Sequence, residues 1–188
     1  IPKADGMWVM DWSNFARERL STDYNIQIDS DEILHESAHS KILERIQGPE
    51  VALRCRRWNF WRDTRHLIPD GVCLGAEVLR VAPKRHWLPA DVPIAQGQDA
   101  MNLDTAALDV EIFHYGFLRK PEAFFKKEKA LQTAFTGGYD PKLEPAQKYD
   151  GNWMDMPGFA EWQDRLVEFN GAHPKYARQW LIERGYIP

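Results

Sequence analysis

Asp29 to His39 carries two overlapping metal-binding patterns. Asp29-Ser30-Asp31 is a D-x-D pair. Its carboxylates are hard oxygen ligands that suit Mg2+ or Mn2+. Magnesium typically keeps several waters and is held by one or two carboxylates together with substrate phosphates. His35-Glu36-Ser37-Ala38-His39 is H-E-x-x-H, in which two imidazoles on one helical face hold zinc and the glutamate acts as general base. Three observations weigh against the zinc reading. The pattern fixes only three positions. Ser40-Lys41-Ile42 follows it, without the glycine and third histidine of the longer protease motif. It also begins close behind a predicted strand, before a helix has formed. His35 and His39 then read as polar residues around a helix start.

A second group of candidates lies in Trp58-Asn59-Phe60-Trp61-Arg62-Asp63. Indole faces stack on sugar rings, and Asn59, Arg62 and Asp63 carry groups that bind hydroxyls. In a strand, Trp58 and Phe60 share one face and Trp61 takes the other, so one face is expected in the core and the other on a ligand. Arg54, Arg56 and Arg57 form a short basic patch, read as a solvated strand face.

The elements that position these residues follow from pattern and punctuation. Residues 11–22 read as a helix capped by Asp11 or Ser13. Tyr24, Ile26 and Ile28 alternate as a strand that runs into Asp29, Asp31 and Glu32. Residues 37–46 read as a short helix closed by Gly48-Pro49. Strands are expected at 51–61, 75–82 and 107–114, with a Pro-containing loop at 83–98. Pro121 opens a helix to Thr136, stopped by Gly137-Gly138. Residues 159–169 and 174–184 read as two C-terminal helices. The class is α/β: a mixed sheet flanked by helices.

The 188 residues suffice for one domain with a sizeable core. A net charge of −4 gives no pull toward nucleic acid or anionic lipid. No apolar run is long enough for a membrane span. Cys55 and Cys73 make no disulfide framework, which fits a reducing, cytoplasmic setting. The chain starts at Ile1 without a signal-peptide pattern, and reads as a fragment or a processed product.

Ile26 to Leu34, a strand running into D-x-D-E, resembles the corresponding segment of family 2 glycosyltransferases, which have the Rossmann-like GT-A fold. Other pieces occur in the family's order. Trp12 to Leu20 resembles the helix before that strand. Phe113-His114-Tyr115-Gly116-Phe117, followed by Pro121 and Lys126, resembles the late strand-end histidine and its helix. Phe169 to Pro174 resembles the C-terminal Gly-x-His-Pro turn. In the family, roughly two strand-helix units that bind the nucleotide base precede this region, whereas only 28 residues precede Asp29 here. The resemblance therefore implies a single GT-A-like domain over residues 1–188 that lacks its N-terminal strand-helix units, with a partner chain as one possible source of that half.

It also implies roles. Asp31 is the main ligand of Mn2+ or Mg2+, Asp29 assists it or binds ribose, and His114 is a further ligand or contacts the diphosphate. Arg17 and Arg19 face the phosphates or are solvated helix charges. Asp91, before Pro93, is the base, with Asp63 and Glu77 as rivals and a plain turn aspartate as the alternative. Trp58, Trp61 and Asp63 serve the carbohydrate acceptor. The expected reaction is inverting transfer from a nucleotide-sugar to a hydroxyl. The alternatives are a degenerate domain that binds carbohydrate or a protein partner, and a zinc hydrolase.

Overall fold

The computed structural model describes residues 15–69, 77–84, 104–118, 123, 126–127 and 164–188. Strands β1 (Tyr24–Ile26), β2 (Glu32–Leu34), β3 (Ala52–Trp61), β4 (His66–Leu67), β5 (Glu77–Pro83), β6 (Thr105–Phe117) and β7 (Val167–Glu168) lie among them, with helices α1 (Ala38–Arg45) and α2 (Lys175–Glu183). Residues 15–18 form a helical turn, and Ala123, Lys126 and Lys127 are helical.

β3 organises the sheet. One of its edges pairs in parallel with β6, from Ala52 opposite Thr105 to Trp61 opposite Phe117. The other edge pairs antiparallel with β5 over Leu53 to Arg56, then with β4 at Phe60. β1 lies outside β5, β2 outside β6 and β7 outside β4, each antiparallel. The α/β class is as expected, but the open sheet is mostly antiparallel. Connection length explains where the one parallel pair falls among the described residues. A chain can return directly as an antiparallel neighbour, whereas a parallel neighbour needs a crossover, and the long run between β3 and β6 supplies it.

Two apolar clusters hold the sheet. Ala38 and Ile42, one turn apart on α1, pack on Leu53, Cys55, Val78, Val81, Val110 and Ile112. Ala177 and Leu181 repeat that spacing on α2 and pack on Phe60, Phe113, Tyr115 and Leu118. Phe113 and Tyr115 thus face the α2 cluster, while alternation along β6 turns Ile112, His114 and Gly116 to the other side.

The helix expected over 159–169 is corrected where it is described. Asp164 and Arg165 form a turn, and Val167 and Glu168 pair with β4. Cross-strand bonds and the packing of Phe169 against Phe60 override local helical preference there. No helix among the described residues is long and apolar enough to cross a membrane.

Candidate functional site

The acidic turn is built by the sheet beneath it. β1 ends at Ile26, yet the Gln27 N–H still donates to the Arg80 carbonyl at 2.9 Å, continuing the ladder with β5. The Asp29 carbonyl then accepts the Glu32 N–H at 3.0 Å, which closes a four-residue turn and starts β2.

Glu32 is the anchor of that turn. Arg80 donates from Nε to Glu32 Oε2 at 2.9 Å and from the single terminal nitrogen Nη2 to both Glu32 Oε1 at 2.6 Å and Asp29 Oδ2 at 2.8 Å. Arg57 adds a longer contact of 3.4 Å to Glu32 Oε1. Glu32, Arg57 and Arg80 are 5%, 4% and 2% exposed. Charges buried this deeply hold because they are mutually paired. Asp29 is drawn into the same group. Loss of solvent raises its pKa, and the Arg80 charge offsets this only in part. Arg57 is therefore buried and paired, which corrects its reading as part of a solvated strand face. Sequence reasoning did not single out Arg80. Its one signal was a charge set within the apolar run Val78-Leu79-Arg80-Val81-Ala82.

Asp31 points elsewhere. Its carbonyl accepts the Tyr115 N–H at 2.8 Å, tying the turn to β6. His114 is opposite Glu32 on β2 and opposite Asn59 on β3, so the three side chains lie side by side across three strands. The amide oxygen of Asn59 only accepts, so His114 donates its Nδ1–H to it, at 2.9 Å. Burial lowers the His114 pKa to about 4, against the pull of the Asp31 charge. The ring is neutral, and Nε2 carries a lone pair 3.6 Å from Asp31 Oδ1. Two acceptors face one another there. Lys127 Nζ donates to the other oxygen, Asp31 Oδ2, at 2.8 Å.

Gly116 keeps this place open. A Cβ on it would come within 2.5 Å of His114 Nε2 and 2.8 Å of Asp31 Oδ2. The residues therefore fit a divalent cation in three respects. The carboxylate and imidazole converge, the glycine leaves room, and Asn59 fixes the ring as a carbonyl or carboxylate does behind metal-binding histidines. Among the described residues no group of three or more His, Cys, Asp or Glu is placed to hold a metal ion. A cation at Asp31 and His114 would take its other ligands from phosphate oxygens and water.

The remaining candidates are spread out. Arg17 is buried in its helical turn, where loss of solvent lowers its pKa, so it is not a solvated charge. Arg19 is exposed and lies over the Phe15 ring, 3.4 Å from its centre. Trp58 is half-buried, with the Arg56 guanidinium 3.9 Å above its ring and Phe169 at 6.0 Å. Trp61 is 0% exposed and packs on Phe117, so it presents no face for stacking and belongs to the core. Alternation failed there because both faces of this central strand are covered. Asp63 shapes the turn leaving β3: its Oδ1 accepts the N–H groups of Arg65 at 2.8 Å and His66 at 3.0 Å. Its carboxylate also lies 2.8 Å from His66 Nδ1. Glu77 pairs with Arg54. Asp91 lies outside the described residues.

The zinc geometry does not form. His35 precedes α1, its Nδ1 lies 2.8 Å from Ser37 Oγ, and His39 is exposed on the helix. Glu36 instead accepts the Lys175 N–H at 3.1 and 3.3 Å, capping the start of α2. Cys55 is buried, with its thiol pKa pushed up to about 12, and is chemically quiet. Comparison with protein-family models, curated proteins and solved structures returned no match.

Proposed function

We propose that the chain is the metal-binding part of a GT-A-type glycosyltransferase that moves a sugar from a nucleotide-sugar donor to a carbohydrate hydroxyl. One observation carries the reading: the lone pair of a neutral, Asn59-oriented His114 converges with the Asp31 carboxylate beside a glycine. Bound there, Mn2+ or Mg2+ would neutralise charge on the departing diphosphate. Asp31 and His114 are the ligands. Asp29, held by Arg80, is better suited to a ribose hydroxyl than to the cation. The acceptor hydroxyl attacks the anomeric carbon as the bond to the diphosphate oxygen breaks, and that oxygen keeps the electron pair. The hydroxyl proton passes to a carboxylate, for which Asp91 remains the candidate. Trp58 is the remaining aromatic candidate for the acceptor.

The nucleotide half of such a site would come from a further strand-helix unit, in the same polypeptide or in a partner chain. Among the described residues β1 pairs with β5 alone, and Ile26, in it, and Ile28, just after it, are exposed. A second reading, a transferase-like domain without activity, rests on the same turn: Asp29 is committed to Arg80, and Lys127 sits on Asp31.

Thermal unfolding with Mn2+, Mn2+ plus UDP, Mn2+ plus GDP, and Zn2+ separates these readings. Near 100 times its dissociation constant, a ligand of the native state adds about 2.7 kcal/mol. Stabilisation by Mn2+, increased by one nucleotide and lost in Asp31→Ala, is expected of the transferase. No response to Mn2+ in the wild type favours the inactive domain. A response to Zn2+ that Asp31→Ala leaves untouched would restore the hydrolase.

A further inference from the structure

We propose that Lys127 is a built-in stand-in for the cation, one that the cation displaces from Asp31 and that then binds the diphosphate. The inference rests on the cation reading above and adds a residue to it. Lys127 Nζ lies 2.8 Å from Asp31 Oδ2, and the Asp31 side chain in this pair is only 16% exposed. A monovalent charge therefore already occupies the carboxylate that a divalent ion would take. The two positive groups compete, because an ammonium and a divalent cation on one carboxylate repel each other. Once displaced, Lys127 is a flexible, strongly hydrated point charge beside the place where phosphate oxygens complete the cation's shell, and such a group binds phosphate. The arrangement links the two events. Cation entry frees the lysine, and the phosphate that arrives with the cation is its next partner.

Mn2+ binding followed by electron paramagnetic resonance of the free ion tests the first event. Calorimetric titration with preformed Mn2+–pyrophosphate tests the second without needing a base pocket. Lys127→Met is expected to bind Mn2+ alone about fivefold more tightly than wild type, the scale of a partly exposed ion pair. It is expected to bind Mn2+–pyrophosphate about tenfold more weakly, the scale of one charge-assisted hydrogen bond. Lys127→Arg keeps the charge and is expected to hold both values near wild type, which guards against a folding defect. If Lys127→Met matches wild type for Mn2+ while Asp31→Asn has lost it, the stand-in role is overturned and the cation site survives. If Lys127→Met holds Mn2+–pyrophosphate as well as wild type does, the phosphate role is overturned. If neither wild type nor Lys127→Met binds Mn2+, the cation reading falls and takes this inference with it.

Discussion

His114 and His173 begin alike and end differently. His114 is buried and His173 half-buried, and in both loss of solvent lowers the pKa. Each donates one ring N–H to a fixed oxygen: His114 to Asn59 Oδ1, and His173 through Nε2 to the Thr64 carbonyl at 3.2 Å. That leaves His173 Nδ1 as an acceptor, and the Tyr115 hydroxyl donates to it at 2.9 Å. His173 is a pin whose two nitrogens are both used. It ties β6 and the turn after β3 to the chain just before α2. The second nitrogen of His114 faces a carboxylate instead. A neutral imidazole with its lone pair toward an anion gains nothing from the anion alone; a cation between them would give that lone pair a partner. What the second ring nitrogen faces separates a structural histidine from a candidate ligand.

The anchor under His114 is the largest lever on this comparison. Arg80→Met leaves the Glu32 carboxylate buried with only the longer contacts to Arg57 and to the Asp29 N–H. Loss of about 3–5 kcal/mol is expected, read as a fall in the urea midpoint. A wild-type midpoint would mean that the acidic turn is not held by this pair.

Acid comes next. The folded pKa of His114, about 4, lies below the ordinary value of ~6.5, so the unfolded chain takes up the proton first as pH falls. The contribution is fully present above pH ~6.5 and is lost between there and pH ~4. It amounts to roughly 3 kcal/mol. In His114→Asn the pH dependence of the unfolding midpoint should flatten across that window. An unchanged slope would place the titration in other groups.

Gly116→Ala tests whether the opening at His114 matters. Its new methyl meets both candidate ligands, so a cost of about 1–3 kcal/mol and loss of Mn2+ stabilisation are expected. Retained Mn2+ stabilisation in a folded Gly116→Ala protein would move the cation elsewhere. The smallest effect belongs to the pin. Tyr115→Phe removes the hydroxyl from His173 at a cost of about 1 kcal/mol and should leave Mn2+ binding alone. Weaker Mn2+ binding in this variant would blur the distinction between the two histidines.

The local elements were legible because their signals are local. Alternation marked β1, runs of strand-forming residues marked β3, β5 and β6 to within a few residues, and short helix-like stretches, one of them closed by Gly48-Pro49, marked α1 and α2. β2 gave no signal, because three residues carry no period and its existence depends on β6 lying opposite. Val167 and Glu168 misled for the same reason. At the site, Asp31 and His114 were named in advance and come together, while Trp61 was assigned to a ligand and is core.

The sequence by itself determined which residues are of types able to ligate a metal or stack, and which short stretches become strand or helix. Those properties reside in side-chain type and in spacing along the chain. Tertiary structure alone decided that the sheet is mostly antiparallel, that Arg80 claims Asp29 and Glu32, and that Lys127 reaches Asp31. It also decided that the two histidines differ. Each of these depends on groups tens of residues apart meeting at hydrogen-bond distance. Register and connection path set such meetings, and no periodicity in the chain encodes them.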